Sequence, residues 1–250
     1  MRLLAIDSAT DRLALAAIDG PADGAPPALQ IDALDAPGGP AASAAALPGL
    51  MQLLARRGWA FSDLDAIAFG RGPGGFTGLR TACAVAQGLA FGAGIPVLAI
   101  DSLALVAEDA FAQAPSRAGA AAGLWVAMDA RMDEVYAAAY RRDAQGDWAL
   151  LAAPALLTVA ALAARWAAAP PALVAGTALA AFGDRLPVGE ALQLRSEGSR
   201  AQALARLAAR ALARGESLPA AQALPVYLPD TVAQTTAERA AARAAAPARG

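Results

Sequence analysis

Short apolar blocks, separated by polar or glycine-rich breaks, set the pattern from the first residues. Leu3-Leu4-Ala5-Ile6 and the block from Leu13 to Ile18 read as two strands joined by the polar turn Asp7-Ser8-Ala9-Thr10-Asp11. A Pro/Gly-rich insert (residues 20–27) precedes a third short strand near residues 29–34, and Pro37-Gly38-Gly39-Pro40 breaks the chain. The spacing then turns helical. Leu47, Leu50, Met51 and Leu54 predict a helix over residues 41–57, with Pro48 marking either a kink or its true start. A strand over residues 65–69 runs into a glycine-dense turn. Beyond it come a helix from Thr77, a plausible N-cap, to about Phe91, a strand over residues 96–101, and a helix capped by Ser102 that reaches about Phe111.

After a linker over residues 113–123 the order repeats. Strands are expected at residues 124–128, ended by Asp129, and at 135–140, with a weak third at 148–151. A helix at 158–168, a strand at 172–175, a short helix at 178–182 and a longer amphipathic helix at 201–214 follow. The last stretch, residues 231–250, is Ala/Arg-rich and polar and reads as a mobile tail or a marginal helix. Asp7 and Asp129 are 122 residues apart, as are Ala5 and Ala127, Asp11 and Asp133, Ala16 and Ala138, and Ala17 and Ala139. Alanine matches come easily in this chain; two aspartate matches at one offset are harder to dismiss. The pattern predicts two related α/β lobes with a cleft between them: residues 1–112, residues 113–230, and the tail 231–250.

The turn between the first lobe's fourth strand and second helix is Gly70-Arg71-Gly72-Pro73-Gly74-Gly75-Phe76-Thr77-Gly78-Leu79-Arg80, with five glycines in nine residues. Such a turn allows backbone amides to converge on an anion at a helix N-terminus, or simply supplies positive φ where a tight turn needs it. In the helix that follows, Ala84, Gly88 and Gly92 recur at intervals of four and leave one face almost bare, so that another helix can approach closely. Leu79, Val85, Ala86 and Leu89 supply apolar surface for its own sheet.

Composition removes chemistry. The chain has no histidine and no lysine among its 250 residues, and one cysteine, Cys83. Ser-His-Asp and Cys-His catalysis, imidazole metal ligands, the phosphate-loop ATPase motif and Schiff-base chemistry are therefore excluded. Cys83 forbids an internal disulfide, fits a reducing compartment, and reads as a small buried hydrophobe. A net charge of −2 predicts no strong nucleic-acid affinity by this chain alone. No apolar run approaches the roughly 18 to 20 residues of a membrane span. Arg206, Arg210 and Arg214, four apart and opposite Leu204, Leu207 and Ala211, read as a solvated helix face.

The duplication with its Asp-Ser-x-Thr turn resembles the actin/hexokinase/Hsp70-like superfamily. The glycine motif of residues 70–80 is similar to that of the universal tRNA threonylcarbamoyladenosine-synthesis family, once described as a glycoprotease. Residues 4–10, residues 128–136 (Met-Asp-Ala-Arg-Met-Asp-Glu-Val-Tyr) and Pro225-Val226-Tyr227-Leu228 resemble its bacterial TsaB (YeaZ) branch. These landmarks span about residues 1–230. The resemblance implies two duplicated actin-like (ribonuclease H-like) lobes, each a mixed β-sheet flanked by helices. It implies a cytoplasmic, non-catalytic subunit that dimerises with a larger catalytic paralogue (TsaD-type) and works with a small ATPase (TsaE-type). That paralogue carries two metal-holding histidines on an early helix. It transfers threonylcarbamoyl to the N6 of the adenosine beside the tRNA anticodon. The helix at residues 41–57, where those histidines would lie, holds none. tRNA would be met only through the complex, and both a homodimer and a monomer stay open for the chain without its partner.

By the same resemblance Asp7 faces a nucleotide or metal across the cleft; alternatively it closes an Asx-type turn. The candidate nucleotide contacts are Asp7, Ser8, Thr10, Gly72, Gly74 and Gly75, with no intrinsic cofactor and a weakly held adenine nucleotide at the cleft or subunit junction. Asp129 is expected as the structural echo of Asp7. Arg71 and Arg80 flank the turn and suit either phosphate contact or a salt bridge. The candidate partner surface is Phe76, Thr77, Arg80, Ala84, Gly88 and Gly92. The alternative reading is an ATP-dependent small-molecule kinase, with Asp7 or Asp129 as base or magnesium anchor, against which the missing lysine counts.

Overall fold

The computed structural model describes residues 1–21, 29–114, 123–194, 196 and 198–228. Most of the insert at 20–27, most of the linker at 113–123 and all of the tail at 231–250 lie outside the described residues. The first half runs β1 (Arg2–Asp7), β2 (Arg12–Asp19), β3 (Gln30–Pro37), α1 (Ala42–Arg57), β4 (Ala66–Gly72), α2 (Phe76–Ala93), β5 (Val97–Asp101) and α3 (Ser102–Gln113). The second runs β6 (Leu124–Arg131), β7 (Glu134–Arg142), β8 (Trp148–Thr158), α4 (Val159–Ala168), β9 (Leu173–Ala175), α5 (Ala178–Phe182), β10 (Leu192–Leu194) and α6 (Arg200–Ala213), with a two-residue strand β11 (Ser217–Leu218) after it.

The sheets are ordered β11-β5-β4-β1-β2-β3 and β10-β9-β6-β7-β8. Setting β11 aside, the two orders are the same, so the duplication is present in the topology and α6 is the counterpart of α3. Each sheet is an antiparallel meander extended by parallel strands. Helices α1 and α2 cover one face of the first sheet over Leu4, Ile6, Leu13 and Leu15. Helices α4 and α5 cover the far face of the second over Ala127, Val135 and Ala137. Between the sheets lies one shared layer, α3 and α6, packed on Leu3, Ala5, Ala16 and Ile18 from one side and Leu124, Val126, Ala138 and Tyr140 from the other. Helix α3 reaches the second sheet, while α6 packs along β1, β2 and β3 of the first. Helix α6 and strand β11, the last among the described residues, thus rest on the first lobe, although the sequence division at residue 113 groups them with the second. Among the described residues no helix is long and apolar enough to cross a membrane.

Several local expectations are corrected. Helix α1 continues through Pro48. Strand β4 extends to Gly72, so the first glycines of the motif are strand residues. The weak third strand is an eleven-residue edge strand, β8, whose ladder shifts register near Pro154, a residue that edges and bulges tolerate. Helix α2 starts at Phe76 with Gly75 as its N-cap, so Thr77 caps nothing. The cap of α3 is Asp101, whose carboxylate accepts from Leu103 N and Ala104 N, and Ser102 is freed for another task. The repeat also slips by one residue. Ala5 pairs with Ala16, and the pair with the same facing in the second hairpin is Val126 with Ala138. The second strands therefore match at 138 − 16 = 122, but the first at 126 − 5 = 121. The positional echo of Asp7 is Met128, and Asp129 is exposed.

Of the arginine face expected to be solvated, Arg214 is exposed, but Arg206 is half-buried and Arg210 is buried. Glu108 of α3 is 2% exposed. It accepts from Arg206 Nε at 2.8 Å, from Arg210 Nη2 at 2.6 Å and, across the lobes, from Trp148 Nε1 at 2.9 Å. Burial pushes its carboxyl upward, but Arg210, the Trp148 hydrogen bond and Arg206 together outweigh this and hold it below the usual range. Replacing Glu108 with Ala strands two arginines, one of them buried, and is expected to cost about 3–5 kcal/mol, lowering Tm by about 10 °C. Because the folded-state value is depressed, this stability is present above the unfolded carboxyl's pKa and is lost as pH falls through the folded one. Denaturant titrations of wild type and Glu108→Gln should therefore differ most near neutrality and converge in acid.

Candidate functional site

The motif at residues 70–80 is built around Asp7, at the end of β1. Its side chain is fully buried. Oδ1 accepts from Ser102 Oγ at 2.9 Å, and Oδ2 accepts from Arg200 Nη2 of α6 at 2.8 Å. Ser102 Oγ in turn accepts from Gly72 N at 3.1 Å. The glycines make this closeness possible. A Cβ at Gly70 would stand 1.8 Å from Asp7 Oδ1, one at Gly74 2.3 Å from Ala9 O, and one at Gly78 1.7 Å from Ser8 O. Gly75 N donates to Ala9 O at 2.8 Å, and Ser8 Oγ donates to Gly78 O at 2.8 Å. The turn is thus laced to the β1–β2 loop by its own backbone.

Above it opens a cleft of about 790 Å³ between the lobes. Of the six candidate nucleotide contacts, Ser8, Thr10, Gly74 and Gly75 line it, joined by Thr77, Thr177, Tyr136, Arg131 and Arg200. Asp7 and Gly72 do not: both are buried behind the wall, and Gly72 faces Val226 O and Leu79 instead. Thr10 Oγ1 accepts from Arg12 N at 3.2 Å. Tyr136 Oη reaches across the lobes to Gly74 O at 3.4 Å. Arg71 turns away into a second cavity of about 290 Å³, walled by Asp101, Tyr140, Trp148 and Arg214. There Asp101 accepts from Tyr140 Oη at 2.8 Å, and burial pushes its carboxyl up. The donor set beside Asp7 does not fit a divalent cation, since the Arg200 guanidinium already stands against this single buried carboxylate. Among the described residues no group of three His, Cys, Asp or Glu side chains is placed to hold a metal ion. The base or magnesium anchor of a small-molecule kinase finds no free carboxylate at this position.

The other candidate surface lies along α2. Phe76, Thr77, Arg80, Ala84, Gly88 and Gly92 are all exposed, and added Cβ atoms at Gly88 and Gly92 would meet nothing within 4 Å. The buried face carries Leu79, Ala82, Cys83, Ala86 and Ala90. The chain's last described segment is strapped beside it: Val226 N donates to Arg71 O at 2.7 Å, Cys83 Sγ to Ala223 O at 3.2 Å, and Gln87 Nε2 to Ala220 O at 3.1 Å. Tyr227 of this strap packs its ring 5.3 Å from that of Phe76, tilted by 52°, and its hydroxyl accepts from Arg80 Nε at 3.1 Å. Its place in the Pro-Val-Tyr-Leu motif marked Tyr227 in the sequence. Nothing there marked Arg200, which lies 193 residues from the acid it neutralises.

The family described as "TsaD: tRNA N6-adenosine threonylcarbamoyltransferase" matches residues 40–240. A solved structure, YeaZ from Pseudomonas aeruginosa, superposes with a TM-score of 0.75 at 36% identity, covering 91% of this chain and 99% of that one. The tRNA threonylcarbamoyladenosine biosynthesis protein TsaB of Escherichia coli is 42% identical over 102 residues, 41% of this chain. Its Haemophilus influenzae counterpart is 47% identical over 90 residues, 36% of this chain. These matches span 42% and 36% of the two relatives' lengths, less than half of each.

The glycines of α2 separate into two kinds, and substitution should sort them. Gly78→Ala forces a Cβ into the Ser8 backbone and is expected to destabilise by about 3 kcal/mol. Gly88→Ala meets open space in a helix interior and is expected to stabilise by about 0.5–1 kcal/mol. Urea unfolding of the two variants checks the opposite signs.

Proposed function

Because the chain belongs to the tRNA N6-adenosine threonylcarbamoyltransferase (TsaD) family, in its TsaB (YeaZ) branch, we propose that it is a non-catalytic subunit of the machinery that places threonylcarbamoyl on the N6 of the adenosine beside the tRNA anticodon. One observation carries this reading: the sequence has no histidine, so it cannot supply the imidazole metal ligands that the family's transfer chemistry implies. The carboxylate at the end of β1 is neutralised from within the chain, which removes the obvious substitute base. The subunit's work is then to bind and support a larger, histidine-bearing paralogue in the cytoplasm, together with a small ATPase, and to meet tRNA only in that complex.

The exposed stripe of α2 suits this role. A helix face made of Ala84, Gly88 and Gly92 lets a partner helix approach to backbone distance, and the half-exposed Phe76–Tyr227 pair with Arg80 offers an aromatic anchor at one end. In the absence of the partner the same stripe serves a second copy of the chain, giving a homodimer. An adenine nucleotide held weakly at the cleft is part of the same reading.

Light scattering of the purified chain mixed with its larger paralogue at micromolar concentration should give one complex. Gly88→Arg places a long charged side chain on the bare face without touching the core. It should abolish the complex while leaving Tm within about 2 °C of wild type. Two independent species with the wild-type chain would contradict the reading.

A further inference from the structure

Arg71, the charged residue between Gly70 and Gly72, stands apart from the cleft. Its side chain lies in the second cavity, of about 290 Å³, which shares no lining residue with the cleft. That volume is at the small end of small-molecule sites. Much of the wall is apolar. Ile100, Ala104, Leu207 and Ala211 are buried in it, and the half-buried Trp148 indole stands with them.

The wall carries five charged side chains, and three of them close on each other. Arg214 donates through Nε and Nη2 to Glu216, at 2.7 and 2.9 Å, and through Nη1 to Asp147. Asp147 also stands 3.5 Å from Arg210 Nε. Arg71 and Asp101 are left over. The Arg71 guanidinium makes no hydrogen bond or ion pair among the described residues, although its charge is felt at Asp101, Tyr140 and Glu216. Its N–H donors are therefore unspent within the chain. Asp101 has no cation in contact. Its Oδ1 accepts from Leu103 N at 2.8 Å and Ala104 N at 3.4 Å, and its Oδ2 accepts from Tyr140 Oη at 2.8 Å. A carboxylate oxygen has room for two donors, so Oδ2 keeps one place open. Burial pushes this carboxyl up in spite of those hydrogen bonds and of Arg71 nearby. An ammonium group beside it would supply the charge that the chain does not bring into contact. The cavity thus offers one unmatched cation, one unmatched acid and an apolar wall.

We propose that this cavity binds a small zwitterion, an α-amino acid with an aliphatic side chain. Its carboxylate pairs with the Arg71 guanidinium, whose planar fork suits two-point contact. Its ammonium group takes the open place on Asp101, and its side chain rests against Leu207, Ala211 and Trp148. Neither the cleft nor the bare face of α2 takes part. The test is calorimetric titration of the full chain with three ligands: L-leucine, L-leucinamide, which lacks the carboxylate, and N-acetyl-L-leucine, which lacks the ammonium group. L-Leucine is expected to bind, and each analogue to bind at least about tenfold more weakly. Arg71→Ala, at an exposed side chain, should weaken L-leucine about tenfold while leaving Tm within about 2 °C of wild type. Asp101→Asn, which keeps an acceptor for the first turn of α3, should weaken it as well. The proposal is overturned by absence of binding up to about 10 mM L-leucine, by analogues that bind as well as L-leucine, or by an affinity indifferent to Arg71→Ala. A chain that fails with L-leucine yet joins its paralogue loses this site alone and leaves the subunit reading standing.

Discussion

The buried carboxylate of Asp7 is the point on which the structure turns. Four segments meet there: β1 carries it, β4 gives way to it at Gly70, α3 bonds it through Ser102, and α6 neutralises it through Arg200. A fully buried charge has no water to fall back on, so each of these contacts is close to obligatory. Arg200 supplies that cation from α6, the last helix among the described residues, which lies on the first sheet through Ala203, Leu204, Leu207 and Ala208. Asp35 and Asp109 then pin the residues flanking Arg200, and the helix that closes the fold enters at one fixed height.

The shared layer of α3 and α6 makes the two lobes one body. Glu108 joins both helices to Trp148 of the second sheet, Asp101 joins the cap of α3 to Tyr140, and Tyr136 reaches the glycine turn. Three hydrogen bonds cross the seam from three strand positions, so the cleft is braced on both flanks. Motion of one lobe against the other, the usual means of closing such a cleft on a substrate, would break bonds to buried partners. A braced cleft beside a bare outward helix suits the proposed role of a support with a fixed shape.

Much of this was legible in the sequence because hydrophobic blocks and glycine breaks are local signals. The strands β1, β2, β4, β5, β6, β7 and β9 and the helices α1 to α6 of the described residues stand where the spacing put them. The duplication was legible too, but its register was not. Alanine occupies both faces of β6 and β7, so neither face announces itself, and matching Asp7 to Asp129 slid one strand by a residue. Side-chain caps were misplaced where a better acceptor stood next door, as Asp101 does beside Ser102. Arg206 and Arg210 looked solvated because an amphipathic pattern records polarity and not partners; Glu108, about a hundred residues earlier, turns that face inward. Strands β10 and β11, at three and two residues, carry no apolar block of their own, whereas β9, also three residues long, was marked by the run Ala172-Leu173-Val174-Ala175. The glycine motif pointed to the right place, yet four of its glycines serve close packing against Asp7, Ser8, Ala9 and Val226, and Arg200, which completes the site, left no local trace.

The central claim is that this chain supports a transfer it does not itself perform. The direct measurement is transfer of labelled threonylcarbamoyl to tRNA from purified components, with each protein omitted in turn. The expected result is no product from this chain alone, product when the histidine-bearing paralogue is present with it, and a marked loss when this chain is left out. Labelled tRNA formed by this chain without the paralogue would contradict the claim.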